Sequence, residues 1–172
     1  LFRYNSGDGS FKHFLIDPND TVEFSANYVD PILGDSLGTL WIGSAKGILR
    51  FNPDTEKFVH YRKDLIIPCL YKDSGGTLWA GTSKGLYRYS RSEDAFLPFF
   101  DSQLSLSNER IYGIVEDRSK NLWLSTPAGI IKINPSRDNQ FIYGSKYGVS
   151  EFYPSIGSIH LSRKGEVMVG SE

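Results

Sequence analysis

The sequence predicts an all-β chain assembled from repeated four-stranded units, and three observations carry that expectation. A tryptophan-centred pattern recurs along the chain, polar turns separate short alternating stretches, and the composition is poor in helix formers. Among 172 residues, Gly occurs 17 times and aromatic residues make up 14%, whereas Met occurs once and Ala five times. Helices favour Ala, Leu and Met, while strands favour aromatic and β-branched side chains.

The repeat is direct. Asp35-Ser36-Leu37-Gly38-Thr39-Leu40-Trp41-Ile42-Gly43-Ser44-Ala45-Lys46-Gly47 matches Asp73-Ser74-Gly75-Gly76-Thr77-Leu78-Trp79-Ala80-Gly81-Thr82-Ser83-Lys84-Gly85 at nine offsets. A third copy runs from Asp117 through Trp123 to Gly129, and a degenerate fourth from Ser162 to Ser171 puts Met168 in the tryptophan's place. The anchors Trp41, Trp79, Trp123 and Met168 are spaced by 38, 44 and 45 residues. Self-similarity at this period marks a repeat architecture, and four short strands per unit of this size is the blade of a β-propeller.

The elements follow in order. Arg3-Tyr4-Asn5 matches Arg50-Phe51-Asn52, so the chain opens at a third strand and Phe11 to Phe14 supplies the fourth, a half-blade over residues 1–15. Complete blades are expected over about 27–62, 65–100 and 109–144. In the last of these, Ile111 to Asp117 alternates apolar with small or polar residues, as a strand does. Strands at Leu122 to Thr126 and Ile130 to Ile133 follow; Asn134-Pro135 stops the chain there, because proline has no donor for a ladder. Phe141 to Gly144 closes the blade. Residues 153–172 form a second half-blade, with Ile156 to Leu161 and Glu166 to Gly170 as a first and second strand. The fold expected is a β-propeller fragment of three complete four-stranded blades between two complementary half-blades. Unpaired strand edges invite pairing, which makes half-blade pairing between two chains, a homodimer, one expectation.

The repeated residues have mechanical roles in this reading. The Asp accepts backbone donors in a hairpin turn, and a Gly takes positive φ beside it. The tryptophans are large core pieces wedged between neighbouring blades. Gly47, Gly85 and Gly129 open the third strand, where the chain reverses with little room for a Cβ.

With these residues in view, the pattern D-x-x-G-x-L-W-x-G-T-x-x-G-L-x-R-Y resembles the two-component regulator propeller repeat, best locally over Trp79 to Tyr89. Tyr147-Gly148-Val149-Ser150-Glu151-Phe152-Tyr153 is similar to the G-x-x-x-E-F-N stretch that opens the family's last blade, with Tyr153 in place of the usual Asn. The resemblance implies the periplasmic sensor part of a hybrid histidine kinase, notably of gut anaerobes that degrade glycans. It further implies a glycan-derived oligosaccharide ligand and the rest of the sensor kinase chain as partner.

Composition and motifs narrow the chemistry. The formal net charge of −1 removes the broad electrostatic attraction on which nucleic-acid binders rely. No apolar run approaches the ~20 residues that cross a bilayer, so no membrane contact is expected of this segment. The single cysteine, Cys69, excludes an intrachain disulfide and a cysteine-rich zinc site. Gly81-Thr82-Ser83-Lys84-Gly85 lacks the spacing of a phosphate loop and lies between strands. The Asp-Ser-x-Gly turns lack the alternating ligands and terminal Glu of a calcium loop. His13 and His60 fall near the ends of fourth strands, as equivalent rim positions, with His160 apart from both. No G-x-S-x-G marks a nucleophile. No catalytic residue, metal ligand or cofactor is therefore assigned, and the chain is read as non-enzymatic.

Propellers recognise partners mainly through loops at one face, because loops escape the packing constraint. The candidate loops are Leu15 to Asn27, Asp101 to Glu109 and Ser145 to Pro154, together with the turns at 44–46, 82–84 and 126–128. Lys46 and Lys84 are equivalent in adjacent blades and can hydrogen-bond a sugar or carboxylate. Tyr28, Tyr147, Phe152 and Tyr153 can stack on a sugar ring, and Glu151 lies among them. A protein-interaction scaffold and a propeller lyase are the alternative functions.

Overall fold

The computed structural model describes residues 1–16, 29–35, 38–99, 106, 109–149 and 152–171. Apart from one 3-10 turn, every regular element in them is a strand. The chain opens with a hairpin of β1 (Phe2–Tyr4) and β2 (Phe11–His13). Three four-stranded antiparallel sheets follow. The first orders β3 (Val29–Gly34), β4 (Leu40–Ser44), β5 (Gly47–Asn52) and β6 (Lys57–Tyr61); the second, β7 (Cys69–Lys72), β8 (Leu78–Thr82), β9 (Gly85–Ser90) and β10 (Ala95–Pro98). The third orders β11 (Gly113–Glu116), β12 (Leu122–Thr126), β13 (Gly129–Ile133) and β14 (Gln140–Tyr143). A hairpin of β15 (Pro154–Leu161) and β16 (Val167–Ser171) ends the chain. The innermost strands β3, β7, β11 and β15 lie beside one another in that order, so the sheets radiate from a common line. This is an all-β propeller arc, three blades between two half-blades.

Each sheet is sewn to the next at its inner edge. Ile67 N–H donates to Ser44 O and Ile111 N–H to Thr82 O, both at 3.1 Å. Because Ile111 spends its donor on the preceding blade and is itself fully buried, β11 begins two residues later than the alternation predicts. The last hairpin differs in the other direction: β15 starts at Pro154, with a register shift before Ile159. Gly157, at φ 71°, makes that irregularity and donates its N–H to Tyr112 O.

The cores lie between sheets, not within one. Trp41, Leu65, Ile67, Leu78 and Phe96 join the first sheet to the second. Trp79, Leu106, Ile111, Leu122 and Ile131 join the second to the third. Phe14, Ile42, Leu49 and Phe51 seat the first hairpin. Strands covered on both faces read as continuous apolar runs, and every residue of β8 is buried. Gly47 opens β5 at φ 108°, where a Cβ would stand 2.5 Å from Arg62 O. Gly129 repeats this at φ 127° against Tyr143 O. Both are positions only glycine fills without displacing a neighbouring strand.

Candidate functional site

The inter-strand turns position the side chains that reach solvent. In the turn after each first strand, the Asp carboxylate holds both the backbone and the tryptophan. Asp73 Oδ1 accepts from Thr77 N at 2.8 Å and its Oδ2 from Trp79 Nε1 at 2.8 Å. Asp117 does the same for Asn121 N and Trp123 Nε1, and Asp35 for Thr39 N and, at 3.4 Å, Trp41 Nε1. The hydrogen bonds from Trp123 and Asn121 hold the Asp117 carboxyl below its ordinary range against the opposing effect of burial. The Asp thus fixes the indole as well as the turn, a role that its constant six-residue lead over the Trp could have signalled. In the degenerate last copy, Ser162 Oγ accepts from Glu166 N instead.

The turns after the second strands share a second device. Ser44, Thr82 and Thr126 each donate a buried hydroxyl to the carbonyl of Gly47, Gly85 and Gly129. The same oxygens of Ser44 and Thr82 accept from Lys46 N and Lys84 N. These bonds hold the two lysines, both exposed, at equivalent tips of adjacent blades. Beside Lys84, Arg62 makes a two-pronged pair with Asp64, at 3.1 and 2.9 Å, and its guanidinium lies 4.8 Å from the Tyr87 ring centroid. Burial raises the Asp64 pKa, but the Arg62 bonds, with help from Lys84, bring it below the usual carboxylate value. Arg62, Asp64 and Lys84 therefore form a fixed patch of donors and acceptors; sequence periodicity gave no reason to single out the first two.

The aromatic candidates are dispersed. Tyr147, half-exposed in the 3-10 turn Ser145–Tyr147, stacks edge-on against Phe141 and Tyr143, and Tyr143 in turn stacks on Trp123. Tyr153 is 67% exposed at the start of the last hairpin and Phe152 is partly buried beside it. No hydrogen bond or ring contact joins Lys84 to Tyr147 or Tyr153 among the described residues. Tyr28 and Glu151 lie outside the described residues. Of the anchors, Trp41 and Trp79 are buried, Trp123 is half-buried and Met168 is 58% exposed. Trp123 stacks on Tyr143 of its own sheet, whereas β9 and β10 of the neighbouring sheet lay Tyr89 and Phe96 against Trp41.

A third set of groups ties blades together at their outer turns. Asp94, at the left-handed end of the β9–β10 turn, accepts from Arg50 Nη1 at 3.0 Å, from Tyr61 Oη at 2.8 Å, and from Tyr89 Oη. The two phenols and the guanidinium lower the Asp94 pKa. Desolvation first, and Asp94 second, raise both tyrosines. Glu56, equivalent in the preceding turn, pairs with Arg3 and Lys12 of the first hairpin. Cys69 is fully buried and burial pushes its thiol up to about 12, which makes it inert as a nucleophile. No group of three or more metal-ligating side chains occurs among the described residues, and no helix among them is long and apolar enough to cross a membrane.

Known proteins place this geometry. The chain superimposes on the extracellular domain of a one-component system from B. thetaiotaomicron with TM-score 0.75 and 18% identity, covering 99% of this chain and 23% of that one. The extracellular domain of a hybrid two-component system from the same organism gives TM-score 0.74 and 24% identity over 94% of this chain and 22% of that one. A catalytically inactive virginiamycin B lyase from Staphylococcus aureus, with quinupristin, gives 0.62 and 20% over 83% of this chain and 48% of that one. These identities establish the propeller fold. The chain spans about a quarter of the length of the two sensor domains. No curated protein matches the sequence. The family model for the two-component regulator propeller matches residues 62–84 and 105–128. Both segments run from the end of one blade to the turn after the next blade's second strand, the stretch that carries Asp, Trp and the hydroxyl staple, so two stretches of this propeller arc match the two-component regulator propeller repeat.

Proposed function

We propose that this chain is the non-catalytic, ligand-sensing propeller portion of a hybrid two-component receptor, exposed in the periplasm and responding to a glycan-derived ligand. The observation that carries the reading is the match of two segments to the two-component regulator propeller. The two similar extracellular sensor domains support it. In this reading the loop face, with Lys46, Lys84, Tyr147, Phe152, Tyr153, Tyr28 and Glu151, meets the sugar. Arg62 and Asp64 add fixed partners for its hydroxyls. The signal passes to the rest of the sensor kinase chain. Domain limits of 1–15, 27–62, 65–100, 109–144 and 153–172 delimit the blades in the same proposal.

The test uses the complete receptor in membrane vesicles. Oligosaccharides that raise its autophosphorylation also raise the melting temperature of the sensor region, since a ligand bound only to folded protein stabilises by RT ln(1 + [L]/Kd). Lys84→Ala and Tyr147→Ala reduce that rise and leave the ligand-free melting curve unchanged. A full response in both variants removes the loop face as the site. The likeness to a lyase supplies the second reading, which predicts turnover of the bound ligand; a ligand recovered intact after prolonged incubation eliminates it. A scaffold reading predicts a tight protein partner or homodimer with no saccharide response.

A further inference from the structure

The junctions between the three sheets meet in a groove at the edge formed by the turns after the first and third strands. Between the second and third sheets Arg137 fills it. Its Nη2 stands 3.5 Å from both Asp73 Oδ2 and Glu116 Oε1, and its Nη1 donates to Lys120 O and Asn134 O. The guanidinium lies 5.8 Å from the Trp79 ring centroid. The equivalent groove between the first and second sheets is open, about 1070 Å³ in volume, with Trp41 in its wall.

Strand register shows why. Leu78 pairs with Lys72, and Leu122 with Glu116, so Lys72 stands where the filled groove has its second carboxylate. In the four-residue turn after the third strand, Glu93 occupies the position of Arg137, and its carboxylate turns back to accept from Ser90 Oγ. The plugging cation is gone and one of its anchors has changed sign. Lys57, Lys72 and Arg91 line the open groove, and none of their side chains has an ion pair or hydrogen bond among the described residues. Its one lining carboxylate, Asp35, is engaged with Thr39 N and Trp41 Nε1.

We propose that this groove binds an anionic oligosaccharide, its sulfate or carboxylate groups held by Lys57, Lys72 and Arg91. Three cations without an ion pair among the described residues, set around a concave, open space, raise the local concentration of anions, although the whole chain is nearly neutral. The neutral donors and acceptors Asn52, Thr55 and Ser90 alternate with the cations along the wall, which suits a sugar acid better than a peptide of carboxylates alone. The proposal deepens the sensing reading, on which its choice of a saccharide rests, but it uses the edge opposite to Lys46 and Lys84.

Calorimetric titration of the purified chain tests it, with a dextran sulfate oligomer, the unmodified dextran oligomer and polyglutamate of equal charge as probes. Dextran sulfate binds saturably and dextran does not. Lys72→Glu, which gives the second sheet the residue that the third already carries, weakens dextran sulfate about tenfold, and raising the salt concentration weakens it further. Lys164→Glu, in the exposed turn of the last hairpin, leaves it unchanged. Equal weakening by Lys72→Glu and Lys164→Glu, or polyglutamate binding as tightly as dextran sulfate, overturns the proposal. A glycan response lost on Lys84→Ala but untouched by Lys72→Glu also overturns it, while leaving the loop-face reading standing.

Discussion

Replacing Trp79 by Ala tests how the repeat stabilises the arc. The indole is 1% exposed, its Nε1 donates to Asp73 Oδ2 at 2.8 Å, and Phe99 packs edge-on at 5.0 Å between ring centroids. Deleting a buried aromatic of this kind costs about 3–5 kcal/mol, with the cavity included. Trp123 makes the same indole bond to Asp117, but it is half-buried. With about half the apolar area removed from water, Trp123→Ala is expected to cost roughly 1.5–2.5 kcal/mol. Trp79→Phe keeps most of the burial and deprives Asp73 of one donor while Arg137 remains, a loss of about 1–2 kcal/mol. The exposed Lys84→Ala stays within about 0.5 kcal/mol. Urea unfolding, followed by far-ultraviolet circular dichroism, reads these differences; with a slope of about 2–3 kcal/mol/M, Trp79→Ala lowers the midpoint by about 1–2 M. A Trp123→Ala variant as unstable as Trp79→Ala would refute the idea that the neighbouring blade, rather than the blade's own sheet, is what the tryptophan packs against.

Three further outcomes follow from individual contacts. A Cβ at Gly81 would stand 2.3 Å from Cys69 Sγ and 2.8 Å from Ile111 Cγ2, so Gly81→Ala should lose about 1–3 kcal/mol. Cys69→Gly should recover part of it, since the third sheet already pairs Gly113 with Ser125 at this place; a double variant no better than Gly81→Ala contradicts the space argument. Arg137→Ala leaves two largely buried carboxylates, Asp73 and Glu116, without their shared cation. It should cost about 2–4 kcal/mol, more than Arg50→Ala at the exposed Arg50–Asp94 pair, as denaturant midpoints would show. The pKa values of Asp94 and Asp117 are lowered in the folded chain. Their stabilisation is therefore complete above the ordinary aspartate value near 4 and is lost as pH falls through the lower folded values. Melting temperature should accordingly decline on acidification below about pH 4, less steeply in Asp117→Asn; an unchanged slope in that variant would disprove the assignment.

The four-stranded unit was legible because its signal is redundant. Trp, Asp and Gly recur at fixed offsets, and each offset corresponds to a bond or a close approach made within one hairpin. The two end hairpins were readable from the same alignment, since Arg3-Tyr4 repeats Arg50-Phe51. Strand ends were less so: β11 starts late because the Ile111 donor goes to Thr82 of another blade, and such debts between sheets leave no local pattern. The Asp–indole bond stood in plain view as a constant separation, yet turn chemistry alone explained the Asp, and the second oxygen's partner went unnoticed. Candidate ligand contacts were the least legible. Lys46 and Lys84 could be placed by repeat position, but Arg62 and Asp64 gain meaning only when the chain between sheets folds back beside Lys84. The difference in burial between Trp79 and Trp123 depends on which strands the following unit contributes, a property of the neighbour and not of the residue.

That dependence on the neighbour extends to charge. Glu56 grips Arg3 and Lys12 of the hairpin before it, and Asp94 grips Arg50 of the sheet before it, from equivalent turns with left-handed backbone. At the next junction the pairing is inverted: Arg88 has no ion pair among the described residues, and Arg137 reaches instead for Asp73 and Glu116. The left-handed backbone position moves with it, from Asp94 in the second sheet's turn to Arg137 in the third's. The four-stranded hairpin scaffold thus recurs from blade to blade, while the turn backbone and the ions that lock each junction vary, because exposed turn residues carry little of the packing energy. A stack stabilised by apolar wedges can therefore leave one junction open and charged without losing its fold. The repeat supplies the platform, and the departures from the repeat, Lys72 for Glu116 and Glu93 for Arg137, are where recognition can be built.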